Sequence, residues 1–176
     1  MIILFNKPFG VISQFSHHDT HPTLKKFINI PNIYPAGRLD TDSEGLMILT
    51  DDGKIQHEIS SPNSNKYKGY WVQVEGEINE KALNNLMDGV IIKDYKTKHA
   101  LVNLIDEPKI WERSKPIRFR KNIPTSWINI EIVEGKNRQV RKMTASVGYP
   151  TLRIIRYKID MFFLDDLQPG EYKVLK

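Results

Sequence analysis

The sequence contains no cysteine, which removes disulfide scaffolds and thiolate-held metals from consideration. Long hydrophobic runs are also missing. The opening apolar stretch from Met1 to Phe5 meets Asn6, Lys7 and Pro8, so it is too short for a signal-peptide core and far too short to span a bilayer. No linker rich in Gly, Ser or Pro divides the chain, whose ten Gly and ten Pro are scattered over 176 residues. What remains is one soluble globular chain, expected in the cytoplasm and away from membranes. At 40% hydrophobic and 27% charged, it is neither disordered nor fibrous. A chain of this length buries about 70% of the surface its unfolded form exposes, enough to fold without a staple or a metal.

Acidic residues are scarce in one segment only. Residues 109–158 hold 13 Lys and Arg against 3 Asp and Glu, whereas residues 1–108 hold 11 against 14 and residues 159–176 hold 2 against 4. The net charge of +5 therefore comes from a single block. Laced with Trp111, Phe119, Trp127 and Tyr149, that block suits a polyanion with stackable bases, because phosphates draw the cations and aromatic faces hold unstacked bases. The same composition also fits a solvated basic face.

Alternation predicts strands through Tyr70, Val72 and Val74 and through Ile128, Ile130 and Ile132, each running into Glu-Gly. Asn79 to Asp88 reads as a one-sided helix with Ala82, Leu83, Leu86 and Met87 inside and Gly89 as its stop. A second helix is predicted from Arg138 to Val147, with Asn137 as N-cap, Gly148 past its end and Pro150 beyond. On a helical wheel Val140, Met143 and Val147 form its core stripe, Arg138 points away, and Arg141 sits about 100° from Val140, at the stripe's edge. A guanidinium there needs an acceptor, preferably a carboxylate. Irregular interleaving of half-exposed strands with helices predicts an α+β fold with a mixed, largely antiparallel central sheet and flanking helices. The expected organisation is one domain over residues 1–176, with two lobes meeting near residue 108, where the charge balance changes sign.

The densest polar constellation is Gly37-Arg38-Leu39-Asp40-Thr41-Asp42-Ser43-Glu44-Gly45, followed by Leu46 to Leu49 and the turn Asp51-Asp52-Gly53. Asp40, Asp42, Glu44, Gly45 and Asp51 match positions of a calcium-loop template, but Tyr34-Pro35-Ala36-Gly37 forbids the entering helix and position 12 is Asp rather than Glu. Asp40, Asp42 and Glu44 could also serve as paired glycosidase carboxylates, although acid pairs also occur in ordinary solvated turns and nothing marks one of these as buried and protonated. His17, His18 and His21, with Asp19 beside them, read as a polar loop more readily than as a metal site.

Four ordered stretches carry a more specific signal: Asn6-Lys7-Pro8-Phe9-Gly10-Val11-Ile12-Ser13, the Gly37 to Leu46 constellation, Lys68-Gly69-Tyr70-Trp71-Val72, and Glu134-Gly135-Lys136-Asn137-Arg138-Gln139-Val140-Arg141-Lys142-Met143. In this order they resemble the motifs of the bacterial ribosomal RNA pseudouridine synthases, across nearly the whole chain. Pro116 to Arg120 and Ile123 to Trp127, with no N-terminal RNA-binding appendage, resemble the large-subunit members most. Lys136 stands where the family often has Arg, and Met47 where it has Leu.

The resemblance implies a pseudouridine synthase fold and a metal-free, cofactor-free isomerase that converts a uridine of 23S rRNA, free or in a large-subunit assembly intermediate, as a monomer. It implies that Asp40 acts at ribose C1′ of a flipped-out nucleotide, that Arg141 is its ion-pair partner, and that Tyr70 stacks on the target base. A cross-strand packing role remains the other reading of Tyr70. Arg38 would hold the displaced nucleotide. Arg118, Arg120, Lys136, Arg138, Lys142, Arg153 and Arg156 would contact RNA phosphates. The competing expectation is a noncatalytic rRNA-binding or ribosome-assembly protein on the same fold.

Overall fold

Local sequence decides most of the elements. In the computed structural model, which describes residues 1–175, the chain forms β1 (Ile2–Lys7), β2 (Tyr34–Pro35), β3 (Glu44–Thr50), α1 (Gly53–Ser60), β4 (Lys68–Glu75), α2 (Glu80–Asp88), β5 (Ile91–Ile92) and β6 (Tyr95–Lys96). It continues through β7 (Leu101–Ile105), β8 (Thr125–Ile132), α3 (Gln139–Ser146), β9 (Thr151–Ile159), β10 (Phe162–Phe163) and β11 (Tyr172–Leu175). The fold is α+β, with a mixed, largely antiparallel sheet and helices beside it. Two compact units divide the chain, residues 1–64 with 156–175, and residues 65–155.

In the first unit β1 lies antiparallel between β3 and β11, with Ile2 opposite Thr50 and Lys7 opposite Gly45 on one side, and Phe5 opposite Tyr172 on the other. Both β1 and β3 are buried along almost their whole length. They therefore read as continuous apolar runs rather than as alternating ones. Ile3, Phe5, Met47 and Leu49 pack with Val11, Leu24, Ile28, Ile33 and Leu39 into one cluster, and Phe27 tilts against Phe5 at 5.8 Å between ring centroids. Leu39, next to Asp40, is thus anchored in the core. The expected turn at Asp51-Asp52-Gly53 is instead the start of α1, where the Asp52 carboxylate accepts from the amides of Lys54 and Ile55. Asp at an N-cap satisfies donors that the first helical turn leaves unpaired.

In the second unit β4 and β8 pair antiparallel over eight positions, from Lys68 opposite Ile132 to Glu75 opposite Thr125, and β7 extends the ladder on β8. Val72, Val74, Ile128, Ile130 and Ile132 point into a core closed by Ala82 and Leu86 of α2 and by Val140 and Met143 of α3. The alternation seen in the sequence is the inward face. Helix α2 is capped by Asn79, the first residue of the expected helix, whose side chain accepts from the Ala82 amide.

Two expectations differ from what is observed. Helix α3 is capped by Arg138, not Asn137, and Arg138 sits in the left-handed region at φ 50°. Gln139 does the local bonding instead, accepting from the Lys136 amide at 3.1 Å while donating to Glu134 at 3.0 Å. The unit divisions fall at 64/65 and 155/156, and residue 108 lies inside the second unit. The irregular chain after β7 is tied back to the start of β9, because Arg113 donates to the Leu152 carbonyl at 3.1 Å and Arg153 to the Trp111 carbonyl at 3.0 Å.

Gly45 marks one of the tightest backbone approaches. A Cβ there would lie 2.2 Å from the Arg156 carbonyl oxygen, and φ is +111°. Both the clash and the conformation exclude a side chain. Gly45→Ala is expected to cost about 2–4 kcal/mol of stability, read as a lowered denaturant midpoint; a midpoint equal to wild type would contradict the close packing of β9 against β3.

Candidate active site

Asp40 sits in a loop whose backbone is fixed from several directions. The Ser13 hydroxyl donates to the Leu39 carbonyl at 2.6 Å and accepts from the Leu39 amide at 3.2 Å. The Ser13 carbonyl in turn accepts from the Arg38 guanidinium at 3.2 Å. On the far side of Asp40, the Gly10 amide donates to the Thr41 carbonyl at 2.8 Å, and the Ser43 amide closes a turn onto the Asp40 carbonyl at 3.0 Å. Two motifs about thirty residues apart are therefore welded into one rigid piece. The carboxylate itself is half-buried.

Beneath the loop lies Lys7, fully buried. Its ammonium donates to the carbonyls of Val11 at 2.7 Å, Pro8 at 2.9 Å and Thr41 at 3.4 Å. Burial pushes its pKa down to about 7, and the charges of Glu44, Asp42 and Asp40 oppose that fall while Arg156 adds to it. A buried cation facing three acids and three carbonyls organises the loop electrostatically. The sequence reading missed Lys7 and Ser13 as site residues. The available signal was a lysine closing a buried strand that opens on four apolar residues, Ile2 to Phe5, just before a Pro-x-Gly turn.

Tyr70 and Arg141 belong to the second unit. Tyr70 is half-buried on β4 against the core cluster, and Arg141 is half-buried on α3, as the wheel predicts for the edge of the stripe. The preceding loop is held by Glu134, which accepts from the Tyr95 hydroxyl, the Lys98 amide and the Gln139 side chain. Lys136 lies over the Tyr95 ring at 4.5 Å, and Arg138 and Lys136 are exposed.

The basic block is sorted by burial. Arg118 and Arg120 are half-exposed and share Glu75, at 2.9 and 3.5 Å, so part of their charge is already answered. Arg153 and Arg156 are only 8% and 4% exposed. Arg153 packs on the Trp111 ring and Arg156 donates to the Leu46 carbonyl at 2.9 Å, so both brace β9 rather than facing solvent for a phosphate. Among the aromatics of the block, Trp127 is in the core and Tyr149 packs by Gly76. Phe119 is 85% exposed, the one free ring of the four.

A family model for RNA pseudouridylate synthase matches residues 1–146, a span that contains the Asp40 loop, β4 and all of α3. The chain belongs to that family, a class of isomerases that turn uridine in RNA into pseudouridine. It is 51% identical over 99% of its length, and 74% of the relative's, to ribosomal large subunit pseudouridine synthase E of Vibrio parahaemolyticus. To the synthase of the same name from Xanthomonas campestris pv. campestris it is 49% identical, over 99% of this chain and 95% of the relative. A solved pseudouridylate synthase structure superposes with a TM-score of 0.82 at 29% identity, covering 99% of this chain and 70% of the other.

Lys7 gives the site a pH signature. Between pH 7 and about 10.5 the unfolded chain holds the Lys7 proton while the folded chain releases it, so stability rises with pH across that window and is lost again as pH falls through 7. The expected slope is about 1 kcal/mol per pH unit. Chemical denaturation at intervals from pH 6 to 10 should show wild type gaining on Lys7→Met as pH rises; a gap that stays constant would contradict the buried titrating ammonium.

Proposed function

We propose that this chain isomerises one uridine of 23S ribosomal RNA, with Asp40 acting at ribose C1′ of a nucleotide turned out of its stack. The observation that carries the reading is a carboxylate on a backbone pinned at Leu39 and Thr41, in a chain whose relatives at about half identity are named as large-subunit synthases. The bond between N1 and C1′ breaks, the freed uracil turns, and C5 joins C1′. The C5 hydrogen leaves as a proton and N1 takes one up. Atoms balance without water, metal or redox partner, so no second carboxylate acid is needed, and Asp42 and Glu44 are left to face Lys7.

In this reading Asp40 is the nucleophile or the electrostatic partner at C1′. Arg141 supplies the cation that keeps the carboxylate ionised in a pocket without water, and Tyr70 stacks on the base and faces the C5 proton. Arg38 holds the displaced nucleotide, while Arg118, Arg120, Lys136, Arg138 and Lys142 take phosphates. The chain works as one cytoplasmic catalytic domain and a monomer, on free RNA or an assembly intermediate.

Asp40→Asn tests the assignment on transcribed 23S rRNA, with pseudouridine measured after nuclease digestion. The expected result is a loss of at least about a thousandfold in turnover, equivalent to about 4 kcal/mol, with RNA affinity within a few-fold of wild type. Equal turnover would overturn the role of Asp40, and a wild type that binds the RNA without converting it would favour a noncatalytic binding protein. Arg141→Met should lower turnover by roughly a hundredfold, about 3 kcal/mol, with affinity again little changed; normal turnover would remove Arg141 from the machinery.

A further inference from the structure

The first unit carries a cleft of which the reaction just described uses only one lining residue, Arg38. It has a volume of about 1000 Å³ and runs from Ser13 to Arg38 along the chain that leads into the Asp40 loop. This is the size of a small-molecule pocket. Its floor is apolar, with Ile28 and Ile33 buried beneath it and Phe15 in the wall. Tyr34 stands at the rim, 57% exposed, held by its backbone on β2 opposite Thr50.

The charges are distributed unevenly around it. Residues 1–64 hold 5 Lys and Arg against 7 Asp and Glu, yet the cleft is lined by Lys25 and Arg38 and by no carboxylate. A concavity that selects cations out of an acidic segment suits an anionic occupant. Exposed amides of Asn29 and Asn32 also face it, and side-chain amides read base edges. An aromatic rim, an apolar floor, amides and two cations are the components that hold a single unstacked nucleotide.

Placement decides which nucleotide. Arg38 lines the cleft and donates to the Ser13 carbonyl, while Ser13 grips Leu39, the residue before Asp40. The cleft wall and the Asp40 loop are therefore the same piece of backbone. The geometry points to a second nucleotide subsite, in which an unpaired nucleotide flanking the target uridine stacks on Tyr34 and places its phosphate between Lys25 and Arg38. It rests on the RNA-modifying reading above, and it adds a means of choosing the uridine: only a target whose neighbour is unpaired would fill both places.

The test is RNA affinity and turnover on transcribed 23S rRNA, compared for wild type, Tyr34→Ala, Tyr34→Phe and Lys25→Ala, with the exposed Met161→Ala as a control outside the cleft. Loss of one base stack is expected to weaken binding by about tenfold in Tyr34→Ala, with Tyr34→Phe and Met161→Ala unchanged. In kinetics the loss should appear in KM, with kcat within about twofold of wild type. Lys25→Ala should reduce the slope of log affinity against log salt by about 0.7 to 0.9, the contribution of one phosphate. Tyr34→Ala binding within twofold of wild type would overturn the subsite, and so would loss of affinity that Tyr34→Phe fails to restore. Failure of the enzymatic reading looks different: wild type would form no pseudouridine, while the dependence of affinity on Tyr34 would still decide the subsite.

Discussion

The grip of Ser13, Gly10 and Lys7 on the backbone either side of Asp40 is the constraint on which the rest of the site depends. A carboxylate can act at a sugar carbon only if it is already in place, since reorganising it during the reaction would cost what preorganisation supplies. Here the main chain is fixed before and after the acid, and Leu39 is sunk into the core. Lys7 is the expensive part. An ammonium taken out of water is tolerated because three carbonyls and three nearby acids receive it.

The second unit solves a similar problem without a buried cation. Glu134 and Gln139 bond to one another and to the amides of Lys98 and Lys136, which sets the loop carrying Lys136 and Arg138 and aims the start of α3. Arg138 occupies a left-handed conformation there, an arrangement sustained only where surrounding bonds over-determine the backbone. Arg141 rides one turn further on, at the border of the buried face.

Much of this was legible in order along the chain. Period-two alternation gives β4 and β8 because half-buried antiparallel strands need it, and the apolar positions of α2 fall on one face for the same reason. The Arg141 position follows from wheel arithmetic alone. Other features depend on what the chain meets after folding. The family resemblance makes Arg153 and Arg156 phosphate ligands, but β9 carries them inward, against Trp111 and the Leu46 carbonyl. Asp52 looks like a turn residue until its carboxylate is seen to cap α1. Ser13 and Lys7 act through main-chain carbonyls, which carry no sequence signature of their own.

The central claim concerns one acid and one address. Pseudouridines should be mapped in ribosomal RNA from cells whose copy of this chain carries Asp40→Asn. A single large-subunit position left as uridine, with every other site intact, is the expected result. A full set of pseudouridines, identical to wild type, would contradict the role given to Asp40.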